Sequence, residues 1–145
     1  MGEMMLKELI ANGYGKEEDL NCAETILYGS NKTYQLGLDS GALKMAAPFG
    51  GGMAIESVCG ALTGSLMVLG KIFVNDVAHK HPKIKELSKE LFETFENEMG
   101  EIICGPLKEK YRTEETKCQY VIFKAEEILE NIVERESKKK KVMMN

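Results

Sequence analysis

Tryptophan is absent from this sequence of 145 residues, and there are only three prolines and two histidines. The histidines, His79 and His81, are two positions apart and would not share a helix face, which argues against a histidine-based metal site. No segment alternates apolar and polar residues over several positions. The longest apolar run, residues 58–70, is interrupted by glycine, threonine and serine and is shorter than a bilayer span. The sequence therefore predicts neither a β-sheet protein nor membrane insertion.

Clustered positive charge is also missing from the body of the chain. The net charge is −4, and most lysines are interleaved with glutamates, which argues against a nucleic-acid partner. The run of lysines at residues 138–141 is interpreted as a solvated tail. The first residues carry acids and no apolar segment of the kind found in signal peptides, so we expect a cytoplasmic protein whose thiols are kept reduced.

The composition is that of one globular domain, with 43% hydrophobic and 29% charged residues. We expect residues 1–137 to form a single helical domain that contains all four cysteines, and residues 138–145 to form a basic, disordered tail. No linker or internal repeat divides the chain.

Helical spacing of apolar residues predicts the fold class. The pattern is clearest at residues 82–99, where Pro82 and Gly100 mark the ends, and at residues 114–136, where Thr113 is the predicted N-cap. Further helices are predicted at residues 1–10, 17–28, 40–47 and 53–73. The last of these is apolar nearly all round, which is typical of a helix surrounded by others. The predicted fold is all-α, a compact bundle of five or six helices around this central apolar helix.

Two glycines in the predicted central helix lie on one face, because Gly60 and Gly64 are four residues apart. Each costs a helix about 1 kcal/mol relative to alanine, so something should approach closely at that face. A close crossing with a second helix is one interpretation. Space for a cofactor is the other, and it makes Gly60 and Gly64 candidate cofactor-binding residues.

The four cysteines, Cys22, Cys59, Cys104 and Cys118, each lie near the start of a predicted helix. Unpaired N–H groups and the helix dipole stabilise thiolates there, and the thiolate is the form that binds metals and attacks disulfides. No pair has the close spacing of zinc or ferredoxin motifs, so a shared site would be assembled from separate helices. Free cysteine also packs as a small apolar residue, and Cys118 at the head of an apolar stripe fits that interpretation as well.

Five segments together resemble a known family. They are Asn21-Cys22-Ala23-Glu24, Phe49-Gly50-Gly51-Gly52-Met53, Cys59-Gly60-Ala61-Leu62-Thr63-Gly64, Cys104 and Cys118. The family is the group of redox-active proteins named for the cysteine pattern C_GCAxxG_C_C. The resemblance implies a small redox protein whose four cysteines are redox-active or bind a cluster. Some relatives are parts of split-Soret cytochromes, but this chain has no C-x-x-C-H segment for covalent haem attachment.

The leading hypothesis is electron transfer through an iron–sulfur cluster, or dithiol–disulfide exchange, at Cys22, Cys59, Cys104 and Cys118. The cluster is slightly preferred because four thiolates match the usual ligand number. A second hypothesis is a structural or zinc-binding helical module without redox turnover. A third is a thiol enzyme whose nucleophile is Cys59 or Cys104. The redox hypothesis implies a partner protein that the sequence does not name, and the apolar central helix is compatible with a homo-oligomer.

Overall fold

The computed structural model describes the backbone of residues 5–144 and the side chains of residues 5–139. Seven α-helices occur in this part of the chain, joined by turns and short irregular helical segments, and it contains isolated bridges but no strand. The helices are α1 (Leu6–Ala11), α2 (Cys22–Thr33), α3 (Ser40–Leu43), α4 (Gly60–Phe73), α5 (Lys83–Met99), α6 (Cys104–Tyr111) and α7 (Gln119–Met144). The predicted all-α class is confirmed. The described helices outnumber the five or six expected because the short α6 is also formed.

Helix α4 lies at the centre of the fold and packs against α2, α5 and α7, with the most extensive contact made to α2. Its buried residues include Leu62, Val68 and Leu69, each fully removed from solvent. An apolar surface on most sides is what a helix with three neighbours needs in order to bury its side chains. In the described part of the chain, no helix combines the length and apolar character needed to cross a membrane.

Helix α5 matches its prediction closely. Pro82 occupies the N-cap, and Gly100 ends the helix with a φ of 81°, a left-handed conformation that glycine adopts without a steric penalty. The predicted apolar stripe is buried, with Leu87, Leu91 and Phe95 facing the core. Local signals fix both ends of this helix.

The central helix begins later than predicted, at Gly60 rather than at residue 53. The preceding segment has positive φ at five positions, Gly51, Gly52, Met53, Ala54 and Glu56. A left-handed conformation costs an ordinary L-residue about 1–2 kcal/mol, so contacts elsewhere must hold this segment in place. Cys59 is consequently the N-cap of α4 and not a residue of its second turn.

Helices α2 and α7 also start later than predicted. Helix α2 starts at Cys22 and not at residue 17, because Asn21 caps it. Helix α7 starts at Gln119 and not at residue 114, because Thr113 and Lys117 close a turn through two backbone hydrogen bonds of 3.2 and 2.8 Å. Thr113 is therefore a turn residue and not the predicted N-cap.

The backbone of residues 138–144 continues α7, where the sequence predicted a disordered tail. Lysine is a good helix former, and the Lys139 ammonium lies 3.3 Å from the Glu136 carboxylate within the same helix. Asn145 and residues 1–4 lie outside the described residues, so the predicted helix at residues 1–10 is described only from its fifth residue onward, where α1 begins at Leu6.

A pair of acidic side chains is buried in the middle of α7. Glu126 is fully buried and accepts a hydrogen bond from the Tyr34 hydroxyl at 3.4 Å, while Glu130 lies 3.6 Å from the Lys7 ammonium. Burial, with a smaller contribution from the charge of Glu130, raises the pKa of Glu126 to about 8. Glu126 is therefore protonated at neutral pH, which avoids an unpaired charge in the core.

Candidate functional site

Cys22 is positioned by the cap of α2. The Asn21 side chain accepts the Glu24 N–H at 2.9 Å, and the Glu24 carboxylate accepts the Asn21 N–H at 2.9 Å, which forms a capping box. Asn21 also donates to the Ala47 carbonyl at 3.0 Å and so fixes the helix start against the next segment. Cys22, the first residue of the helix, is therefore held half-buried at a defined place.

Cys59 and Cys104 are joined through their backbones. The Cys59 N–H donates to the Ile102 carbonyl at 2.9 Å, and the Cys104 N–H donates to the Ser57 carbonyl at 2.6 Å. These bonds flank an isolated antiparallel bridge between Val58 and Ile103. The start of α4 and the start of α6 therefore lie side by side, although 45 positions separate the two cysteines (104 minus 59).

Gly52 allows this arrangement. A Cβ atom built on Gly52 would lie 2.8 Å from the Cys104 Cβ and 2.5 Å from the Ser57 nitrogen, both closer than such atoms approach. Its φ of 64° adds a second reason for glycine. Within the triple glycine, Gly52 is thus the residue that packs against the cysteine site.

Cys118 directly precedes α7, and its carbonyl accepts the Ile122 N–H at 3.0 Å. Its sulfur interacts with two other side chains. The Arg112 guanidinium donates to it at 3.6 Å. The Cys22 thiol lies near enough for the two side chains to shift each other's pKa in opposite directions. Cys22 and Cys118, 96 positions apart (118 minus 22), are therefore neighbours in the fold.

The four cysteines converge at one end of the bundle. Each is the first residue of a helix, its N-cap, or the residue directly before it. They are close enough for the charge of each of the other three sulfurs to raise the pKa of Cys22. The site thus brings Cys22, Cys59, Cys104 and Cys118 together.

The pKa values of Cys22 and Cys118 shift in opposite directions. The hydrogen bond from Cys22, followed by that from Arg112 and by the positive charges of Arg112 and Lys108, lowers the pKa of Cys118 to about 6 against the opposing effect of burial. The same hydrogen bond, together with burial, raises the pKa of Cys22 well above its usual range. These effects favour the thiolate at Cys118, the sulfur to which Arg112 donates.

The other two thiols stay protonated at neutral pH. Burial raises the pKa of Cys59 to about 11, although the nearby N–H groups of Ala61 and Leu62 at the start of α4 act in the opposite direction. Burial also raises the pKa of Cys104, against the opposing charge of Lys108. A position at a helix start is therefore not enough to produce a thiolate in this protein.

Gly60 and Gly64 face the backbone of α2. A Cβ on Gly60 would lie 2.9 Å from the Phe49 carbonyl oxygen and 3.3 Å from the Cys22 Cβ, and one on Gly64 would lie 2.8 Å from the Ala23 carbonyl oxygen. Close crossing of α2 and α4 accounts for Gly64, and the Phe49 carbonyl together with the start of α2 accounts for Gly60. By bringing the two helix starts together, they place Cys22 near Cys59. Their direct binding of a cofactor stays a prediction.

No three histidine, cysteine or acidic side chains among residues 5–139 surround one point closely enough to hold a single metal ion. His81 contacts Asp76 at 2.8 Å instead.

Arg112 and Lys108 are the site residues that sequence reasoning missed. Both lie on or next to α6, within ten residues before Cys118, and neither follows a motif. One signal was available, since the chain has only two arginines and Arg112 is the one near a cysteine. Proximity in sequence would have made it a candidate, but only the turn after α6 aims it at the sulfur.

Comparison of the sequence with known proteins identifies a family. The profile of the C_GCAxxG_C_C family, described as "Putative redox-active protein", matches residues 20–132. The chain belongs to this family. The match includes all four cysteines of the site. No curated protein and no solved structure matches the chain.

Proposed function

We propose that this C_GCAxxG_C_C protein is a thiol redox protein in which Cys22 and Cys118 form the reactive pair. The observation that carries the proposal is the Arg112 guanidinium donating to the Cys118 sulfur at 3.6 Å, with the Cys22 thiol close enough to shift the pKa of Cys118. Dithiol–disulfide exchange requires a thiolate that attacks and a second thiol beside it that resolves the mixed disulfide.

The exchange is balanced as follows. The Cys118 thiolate attacks a disulfide of the oxidant, forms a mixed disulfide and releases one thiolate. Cys22 then loses its proton and attacks the Cys118 sulfur, which forms the Cys22–Cys118 disulfide and releases the second thiolate. Two electrons pass to the oxidant, and a thiol reductant reverses the sequence. A reducing compartment such as the cytoplasm would suit this cycle.

An iron–sulfur cluster held by all four cysteines is the second candidate. The convergence of four thiols from four helix starts favours it, because cluster ligands are usually four thiolates. Such a cluster would supply one-electron transfer. Dithiol exchange is placed first because Cys22 and Cys118 are neighbours and Arg112 donates to the Cys118 sulfur, which favours a thiolate there. A structural zinc site has less support, since no three of the possible ligands in the described chain surround a single point.

The test is disulfide mapping by mass spectrometry after oxidation of protein that was purified without oxygen. We expect a Cys22–Cys118 disulfide in the wild type and in Cys59→Ser, and its complete loss in Cys118→Ser. Cys59→Ser is the matched control because it removes a thiol of the same site without touching the pair. Stoichiometric iron and acid-labile sulfide in the anaerobic protein, together with no such disulfide, would transfer the proposal to the cluster.

A further inference from the structure

A pocket of about 200 Å³ lies beside Cys118, which forms part of its wall. The wall on one side consists of the turns after α1, including Gly13, Lys16 and Leu20, and on the other side of residues 116–119 at the start of α7. The function proposed above uses Cys118 but gives no role to this pocket. We refer to it as the Cys118 pocket.

Hydrogen bonds join the two sides of the Cys118 pocket. The Gln119 side-chain amide donates to the Ile10 carbonyl at 2.7 Å and to the Ala11 carbonyl at 3.0 Å. The Lys16 ammonium donates to the Glu115 carbonyl across the same junction. Because these bonds join segments about a hundred positions apart, the pocket is formed before any ligand enters.

The size of the pocket restricts the ligand. An apolar cavity of about 150 Å³ holds a benzene molecule, so a pocket of this volume holds a group about as large as an amino acid. Cys118 is only 9% exposed, which keeps its sulfur away from a disulfide on the surface of a folded protein. A small molecule fits these two restrictions better than a protein does.

The lining fits a zwitterion with a short apolar middle. Lys16, Lys117 and Asp19 supply charges of both signs, while Leu20 and Ile122 contribute apolar surface near Cys118. A carboxylate and an ammonium group of one ligand would each find an opposite charge there.

We propose that the Cys118 pocket binds a low-molecular-weight disulfide whose halves are of amino-acid size, and that Cys118 attacks the nearer sulfur of this ligand. The inference rests on the function proposed above and names its oxidant. The Cys118 thiolate forms a mixed disulfide with one half and releases the other half as a thiolate. Attack by Cys22 on the Cys118 sulfur then releases the second half, so one small disulfide becomes two thiols and the protein dithiol becomes a disulfide.

The experiment measures how fast reduced protein is oxidised by cystine, by the larger oxidised glutathione and by the disulfides of insulin. Leu20→Trp fills the pocket, and Leu66→Trp is its control, because Leu66 is also a half-buried leucine but packs on the core away from the pocket. Thr116→Trp, at an exposed position of the pocket lining, serves as a second blocking variant if Leu20→Trp does not fold. The equilibrium potential of the Cys22–Cys118 pair is measured for each variant.

We expect cystine to react fastest, and both blocking variants to lower its rate about tenfold or more while the potential and the Leu66→Trp rate stay at wild-type values. In Cys22→Ser, mass spectrometry should find the half-cystine adduct on Cys118. Equal cystine rates in wild type and blocking variants, or faster reaction with insulin, would overturn the pocket proposal while leaving the reactive pair intact. Failure of any Cys22–Cys118 disulfide to form would instead overturn the proposed function itself.

Discussion

Cys59 and Cys118 occupy similar positions in the cysteine site but differ in their chemistry. Cys59 and Cys118 both sit at a helix start and both are at least nine-tenths buried, yet the pKa of Cys59 rises to about 11 and that of Cys118 falls to about 6. Burial has the largest effect on Cys59, opposed by the nearby N–H groups of Ala61 and Leu62, whereas Cys118 has the Cys22 thiol beside it and the Arg112 guanidinium at 3.6 Å. Side-chain donors, and not the helix start, decide which cysteine is a thiolate.

The largest expected effect of this difference is on the pH dependence of alkylation by iodoacetamide. Thiolate is the reactive form, so the rate at Cys118 should rise through a midpoint near pH 6, while the rate at Cys59 should still be rising near pH 11. At pH 7 the two rates should differ by more than about 100-fold. Peptide mapping at each pH gives both curves. The midpoint of each curve depends on the ionisation of the thiol and not on how accessible the sulfur is to the reagent. Coincident midpoints for Cys118 and Cys59 would contradict the difference in pKa.

Removing the cation should make the pKa of Cys118 more similar to that of Cys59. Arg112→Gln takes away a hydrogen bond and a positive charge, so the alkylation midpoint of Cys118 should move up by about one pH unit and its rate at pH 6 should fall about five- to tenfold. Arg135→Gln is the matched control, because that guanidinium pairs with Glu90 at 2.6 and 2.8 Å and not with a cysteine. An unchanged midpoint in Arg112→Gln would show that Cys22 alone stabilises the thiolate.

Burial raises the pKa of the Glu126 carboxyl group, as it raises that of the Cys59 thiol. Its folded-state pKa of about 8 lies above the ordinary 4.5, so its contribution to stability is fully present below pH 4.5 and is lost as the pH rises to 8. The loss is at most about 1.4 kcal/mol per pH unit in that window. Urea denaturation should show Glu126→Gln gaining stability relative to wild type between pH 5 and pH 8, by roughly that slope at most. A constant difference across this range would contradict the raised pKa.

The smallest expected effect concerns the backbone next to Cys104, at Gly52. Gly52→Ala should lower the free energy of unfolding by about 1–3 kcal/mol more than Gly51→Ala, because the two glycines share a φ of 64° but only Gly52 packs on the Cys104 Cβ. A Cβ on Gly51 meets no atom within 4 Å. Urea denaturation of both variants measures the difference, and equal losses would mean that only the backbone conformation matters.

Local signals in the sequence were enough for the helical class and for α5, whose ends are marked by Pro82 and Gly100. They failed at the start of α4, because the bonds from Cys59 to Ile102 and from Cys104 to Ser57 keep the preceding segment out of a right-handed helix. Tertiary contacts of this kind leave no periodic pattern in the sequence.

For the site, the sequence provided the four cysteines and their positions near helix starts. It could not show that Cys22 pairs with Cys118, because that contact depends on how α2 and α7 meet. The contribution of Arg112 was missed for the same reason, since it depends on the turn between α6 and α7. Residue types were therefore predictable, and their pairing was not.

The separation of Cys22 from Cys118 along the chain has a consequence during synthesis. The ribosome makes Cys22 long before Arg112 and Cys118, and contacts between distant positions form late in folding. A growing chain thus carries ordinary thiols, and the low-pKa thiolate appears only once α2 and α7 have docked. Oxidants would meet the reactive form of this protein only after it has finished folding.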